Sequence, residues 1–242
     1  MKKNEIALNR DTAFIQALAF LTMFIDHAGL LFFPRAIWLR AIGRMAFPLF
    51  CYNIVFGLVH TKNVKKYALR LLIFALISQY PYMLALHHAS YELNVLFTLL
   101  AGLFAIWGIR ENKYGSRIWA PLTSLVLSSI LTMDYGFKGV LFIIFIYMCR
   151  TSRPAFAAMM VSFCLFWGTG SSNILYGAFN CDSVICSRLM ASARPFFQLQ
   201  TLAMLALPFL LIQTNSGIRR IGRWAYLIYP GHLLILYIIQ VL

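Results

Sequence analysis

Acidic residues are scarce in this chain: its 242 residues carry 7 Asp and Glu against 21 Lys and Arg, and charge of both signs makes up only 12%. So little charge cannot clothe a water-facing surface, which excludes an ordinary soluble domain. Basic-aromatic platforms and the signatures of RNA or DNA binding are missing too, so the +14 excess does not point to nucleic acid. The start lacks a cleavable leader pattern. Lys2, Lys3 and Arg10 precede an apolar run too long for a leader's core, with no small-residue cleavage site, so that run is expected to stay as a first membrane span. Internal repeats are absent, which counts against a transporter built from inverted halves. No second Cys/His pair with ligand spacing lies near Cys181 and Cys186, so a metal site is not expected.

What the chain does have is apolar surface: 61% hydrophobic residues and a mean hydropathy of +0.76. This composition predicts a polytopic, all-α transmembrane bundle forming one domain over residues 1–242. About nine spans can be read, at 13–33, 37–59, 67–86, 93–109, 118–133, 137–149, 154–168, 196–212 and 221–239. Their connections distribute charge unevenly. With the N-terminus inside, fifteen basic residues fall in cytoplasmic segments, among them Lys62, Lys65, Lys66, Arg70, Arg219, Arg220 and Arg223, and five fall outside. The positive-inside rule therefore sets the N-terminus in and the C-terminus out. The one sizeable loop, about 169–195, then lies outside. It holds Cys181 and Cys186, for which a disulfide and two free thiols both stay open, whereas Cys51, Cys149 and Cys164 read as packing residues.

Asp26 and His27 interrupt the first apolar run side by side. A carboxylate at membrane depth costs at least about 2.5 kcal/mol even on the lenient insertion scale, so such a residue faces the bundle interior and has a job. Neighbouring helix residues point about 100° apart. Asp26 should therefore not orient the His27 ring, and its expected partner is Arg44 or Arg40, leaving His27 to face a substrate passage. Other polar groups fall at the same outer depth: the Arg40/Arg44 pair one helical turn apart, Ser78-Gln79-Tyr80, Asn94 with Thr98, Asp134-Tyr135-Gly136, and Tyr229-Pro-Gly-His232. Each also has a plain structural reading. Arg40 can snorkel to headgroups, Asn94 can cap a helix and Asp134 can shape a turn. Pro48, Pro81 and Pro230 can be kinks, and His232 a satisfied polar group.

Taken together, Leu21-Thr-Met-Phe-Ile-Asp-His27, Arg40-Ala-Ile-Gly-Arg-Met-Ala-Phe-Pro-Leu-Phe50, Asn63 to Gln79, Asn94-Val-Leu-Phe-Thr98 and Asp134-Tyr-Gly136 resemble the TraX family. The likeness runs from residue 20 to about 145, with Tyr229 to His232 as a C-terminal echo and a weak match over 150–220. The resemblance implies a multi-pass protein of the bacterial inner membrane, in contact with lipid, that acetylates the N-terminal amine of a conjugative pilin subunit. The implied donor substrate is acetyl-CoA, and a distant tie to membrane acyltransferases follows. A sugar or lipid acceptor, or a non-enzymatic transporter or pilin chaperone, are the competing readings.

The residues suit acetyl transfer. An α-amine has a pKa of about 7.7–8.0 and needs a base to become nucleophilic at neutral pH. His27 is the expected base, with Asp26 holding an arginine and His232 a secondary polar contact. Arg44 or Asn94 is expected to stabilise the developing oxyanion, with Asp134 in the same cluster. The donor's phosphates are expected on Lys62, Lys65, Lys66 and Arg70, or on Arg219, Arg220 and Arg223. Reporter fusions should place residues 62–66 in the cytoplasm and the C-terminus on the outer side; finding both on one side overturns this orientation.

Overall fold

Each apolar run winds into a helix, and polar residues cap several first turns. The computed structural model describes residues 6–171, 194–219, 221–222 and 225–242. Its helices are α1 (Thr12–Phe32), α2 (Ile37–Gly43), α3 (Ala46–His60), α4 (Val64–Leu86), α5 (Val95–Glu111), α6 (Ser116–Ile130), α7 (Gly136–Cys149) and α8 (Arg153–Gly168). After the region that holds Cys181 and Cys186, which lies outside the described residues, come α9 (Leu199–Leu211) and α10 (Ala225–Val241). The Asp11 carboxylate accepts the Phe14 N–H at the start of α1, and the Asn63 amide oxygen accepts the Lys66 N–H at the start of α4. Thus each of the nine apolar segments read from the sequence falls on helix. Three of them are long and apolar enough to cross a membrane: Thr12–Phe32, Ile37–His60 and Val64–Leu86.

Two segments depart from a simple helix. The second run breaks into α2 and α3 at Arg44–Met45, and Pro48 supplies a reason. A proline ring clashes with the carbonyl four residues back, which here is that of Arg44. In α9, residues Leu199–Ala206 are wound as a 3₁₀ helix before one α-turn at Leu207–Leu211.

Successive helices run up and down, giving the bundle two unlike ends. The turns at 61–63, 112–115 and 150–152 meet at the basic end. There Ala7 N–H donates to the Arg150 carbonyl at 2.9 Å, Asn9 N–H to that of Leu210 at 2.9 Å, and the Tyr52 hydroxyl to that of Asn9. The opposite end carries the turns at 33–36, 87–94 and 131–135. α1 packs on α2, α3 and α10, α10 also on α4, and α5 on α4, α6 and α7, while α9 lies against α8, α2 and α3. The core runs through all of these, with Phe47, Leu49, Tyr52, Leu103, Phe142, Ile143 and Phe156 almost wholly enclosed. Cys51 and Cys164 are buried packing residues and Cys149 is partly exposed.

Two connections at the site end are fastened to each other. Leu93 N–H donates to Thr132 O at 2.8 Å, Asp134 N–H donates to Leu93 O at 2.9 Å, and the Thr98 hydroxyl donates to Asp134 O. Asn94 anchors this joint. Its oxygen caps α5 by accepting Leu96 N–H, while its Nδ2 donates to Ala75 O and Gln79 Oε1, both at 2.8 Å; Gln79 Nε2 then donates to Glu92 O at 2.6 Å. Truncating Asn94 removes a cap and two side-chain bonds, although the Asn94 N–H still donates to Gln79 Oε1 at 3.1 Å. Asn94→Ala should therefore cost about 1–3 kcal/mol of stability, read as a lower melting temperature in detergent.

Candidate functional site

Asp26, near the end of α1, is buried and receives two guanidinium groups. Arg44 reaches it through Nη2, and Arg40 through Nη1, at 3.2 Å from Oδ2 and 3.4 Å from the Asp26 carbonyl. The ion pair expected at Asp26 forms with both arginines. Close approach of α2 to α1 makes it possible, because both contact points are glycine. A Cβ on Gly43 would overlap the Asp26 side chain, and one on Gly29 would come within 2.7 Å of Leu39 Cβ. Two guanidiniums on one carboxylate leave an excess of positive charge in a poorly solvated place. Arg44 also donates from Nη1 to Gln200 Oε1 of α9 at 3.4 Å. Among the described residues, Asp26 Oδ1, Arg44 Nε and Gln200 Nε2 are buried without a hydrogen-bond partner, so this cluster keeps unused donors and an acceptor.

One residue on, His27 points to α10. Its Nδ1 lies 2.8 Å from Nε2 of His232, with ring planes 6° apart, and His232 Nδ1 lies 3.0 Å from the Ile228 carbonyl. That order fixes the protons of the neutral pair. A carbonyl only accepts, so His232 Nδ1 carries hydrogen and its Nε2 is a lone pair; His27 Nδ1 must then donate, and His27 Nε2 is left bare. His232, expected as a secondary polar contact, is the ring that His27 meets, so the fold brings the two histidines into one hydrogen-bonded pair. Tyr229, one turn earlier on α10, stands with its ring 5.5 Å from that of His232.

Asp134 and Tyr135 approach from the turn before α7. Tyr135 adopts φ +67°, costly for a bulky side chain, and its ring is held by stacking on Phe47 at 3.9 Å and by an edge contact with Trp167 at 5.6 Å. Burial pushes the Asp134 carboxyl up to about 6, although Arg44 pulls the other way. Asn94, expected beside the reacting centre, instead spends its amide in the joint between α4 and α5. Sequence reading missed His88 and Glu92: His88 Nδ1 lies 2.9 Å from Glu92 Oε2, and the His88 ring stacks on Tyr82 at 4.5 Å. The four-residue spacing of His88 and Glu92 was the available signal. It went unread because the pair falls in a connection between apolar runs.

A cavity of about 390 Å³ lies between α1, α3, α4, α5 and α10. Tyr229 lines it on the histidine side, and exposed His60, Arg70 and Gly222 line it at the basic end. Lys62, Lys65, Lys66 and Arg219 are exposed at that same end without lining the cavity, and Arg220 and Arg223 lie outside the described residues. The fold thus gathers Asp26, His27, Arg44, Asp134 and His232 at one end and sets the candidate donor-binding cations at the other. Among the described residues no cluster of three or more metal-ligating side chains occurs.

A family model described as TraX protein matches residues 11–240, including the 150–220 stretch where the motif likeness is weak. A probable fimbrial assembly protein FimC, serogroup H1, of Dichelobacter nodosus is 34% identical over 142 residues, covering 53% of this chain and 58% of that protein. Protein TraX of Escherichia coli is 32% identical over 130 residues, covering 52% and 51%. The match therefore spans little more than half the length of these relatives. No solved structure matches.

With its side chain only 10% exposed, Asp26 is the sole ion-pair partner that Arg40 and Arg44 have among the described residues. Removing it strands two cations, and breaking a buried pair from one side costs about 3–5 kcal/mol. Asp26→Ala should accordingly lower both membrane abundance and melting temperature, and wild-type values of both would show that the pair does not hold α1 to α2.

Proposed function

The chain belongs to the TraX family, and from that premise we propose that it is an integral-membrane N-acetyltransferase carrying acetyl groups from acetyl-CoA to the N-terminal amine of a conjugative pilin subunit. The observation that carries this reading is the bare Nε2 of His27, held unprotonated by the donor–acceptor order His27 to His232 to the Ile228 carbonyl. A pilin partner is supported by the two relatives, whose names are TraX and a fimbrial assembly protein.

The acceptor arrives as an ammonium ion and first loses one proton to solvent. The neutral amine attacks the thioester carbonyl, forming the N–C bond and moving charge to the carbonyl oxygen. The excess charge of Arg40 and Arg44 over Asp26 suits that oxyanion, and Arg44 Nε is an unused donor to meet it. His27 Nε2 takes the second amine proton. The C–S bond breaks, and the thiolate leaves with that proton from His27. The balance is ammonium plus acetyl-CoA giving amide, coenzyme A and one released proton. His232 accepts from His27 Nδ1 throughout, which keeps the imidazolium oriented while it holds the proton. Asp26 orients the arginines, and the turn bearing Asp134 and Tyr135 closes the cluster from α7. With the N-terminus inside, the basic end faces the cytoplasm, where Lys62, Lys65, Lys66 and Arg70, or Arg219 and Arg220, meet the donor's phosphates.

Loss of a general base typically costs about 10²- to 10⁴-fold. His27→Ala should still insert, at a cost of about 1–3 kcal/mol for the buried His232 nitrogen left unpaired, yet leave pilin unacetylated by intact mass. His232→Ala should lose less, because the base remains and only its tautomer is released. Near-normal acetylation by His27→Ala would end this assignment.

A further inference from the structure

We propose that the cavity between α1, α3, α4, α5 and α10 is the passage for the donor's pantetheine arm, and that Gln16 Oε1 accepts an amide N–H from it; this rests on acetyl-CoA being the donor. Helical spacing directs the cavity at the histidines. On α1, Gln16 and Phe20 line it, and His27 follows eleven residues after Gln16, just over three turns on and so on the same face. On α10, Ala225 and Tyr229 line it, with His232 seven residues after Ala225, again on one face. Both rows end at the His27–His232 pair. From Gln16 to His27 the rise is about 16 Å, and the cavity runs from the cations as far as Tyr229, whose ring lies 5.5 Å from that of His232.

Its chemistry selects the occupant. The basic end offers exposed Arg70 and His60, and the wall beyond is mainly apolar, with Phe50, Leu71 and Leu99. In that wall the Gln16 Oε1 is buried and has no partner among the described residues. An acceptor left so is costly unless an occupant donates to it. A hydrocarbon tail would fill the sleeve but has nothing to donate. A slender chain with phosphates at its trailing end, amide N–H groups along its length and a thioester at its tip satisfies Arg70, Gln16 and His27 in that order. The volume lies in the range of small-molecule sites.

Two measurements on the purified full-length protein in detergent test this. Asn53, which lines the cavity, is replaced by Cys and alkylated with N-ethylmaleimide, with exposed Ser129→Cys on α6 as control; peptide mass keeps native cysteines out of the reading. Acetyl-CoA, which has no free thiol to consume the maleimide, should slow labelling at position 53 by about 5-fold or more when near saturation, while leaving position 129 unchanged. In steady state, Gln16→Leu should raise KM for acetyl-CoA about 3- to 10-fold with kcat and the pilin KM unchanged. If acetyl-CoA binds the wild type by calorimetry yet protects nothing at position 53, and Gln16→Leu keeps its KM, the passage is wrong and the acetyl-CoA reading survives. If neither coenzyme A nor acetyl-CoA binds the wild type, both fall.

Discussion

A lone carboxylate cannot stay ionised in an apolar bundle, and much of the site end of this molecule is arranged around that constraint. Asp26 needs cations, and Arg40 and Arg44 deliver them from α2, the short helix that follows α1 across a tight turn. The delivery depends on backbone chemistry. Gly29 and Gly43 let the two helices touch, and Pro48 ends α2 beside the residue that makes the shorter of the two ion contacts. Arg44 then extends the network to Gln200 on α9. One buried charge thus ties α1, α2 and α9 together.

The same constraint leaves something over. Two cations against one anion is a poor arrangement for stability alone, since a buried charge with no counter-charge is expensive. It is a good arrangement where negative charge develops transiently. Tyr135 carries a comparable sign. Its left-handed backbone is tolerated because stacking on Phe47 and contact with Trp167 hold the ring, and the Leu93–Asp134 joint holds the main chain. Local rules are broken here at two adjacent points, the expected mark of a site kept for reasons other than folding.

Much of this was legible in the chain before any coordinates. Among the described residues, each α-helix falls within or beside an apolar run that hydropathy found, since such a run with polar breaks leaves the backbone little choice. The cost of Asp26 named its partners correctly, because only Arg40 and Arg44 lay at its depth. The break at Arg44–Met45 was hidden, since hydropathy is blind to a local backbone clash and Pro48 read as a mere kink. The 3₁₀ winding of Leu199–Ala206 was hidden for a similar reason. Contacts between distant helices were the larger gap. Nothing in periodicity shows that His232 meets His27 or that Gln16 is left unpartnered. Asn94 was ambiguous between cap and chemistry, and its three side-chain bonds place it in the frame. Cys181 and Cys186 fall outside the described residues.

Separation of charge along the bundle bears on how such a protein works. The exposed cations Lys62, Lys65, Lys66 and Arg70 sit at one end, and the Asp26 and His27 clusters at the other. Anionic groups are drawn to the first and are held back from the apolar sleeve, because each phosphate entering it would lose its water among apolar side chains. A molecule that is anionic at one end and neutral at the other is thereby oriented before it reacts. On the proposed reading its neutral tip is the part directed toward His27, and the acceptor amine approaches the same atom from the opposite side. A fixed passage with unlike ends would, on that reading, bring donor and acceptor to one nitrogen without the alternating rearrangement that a transporter requires.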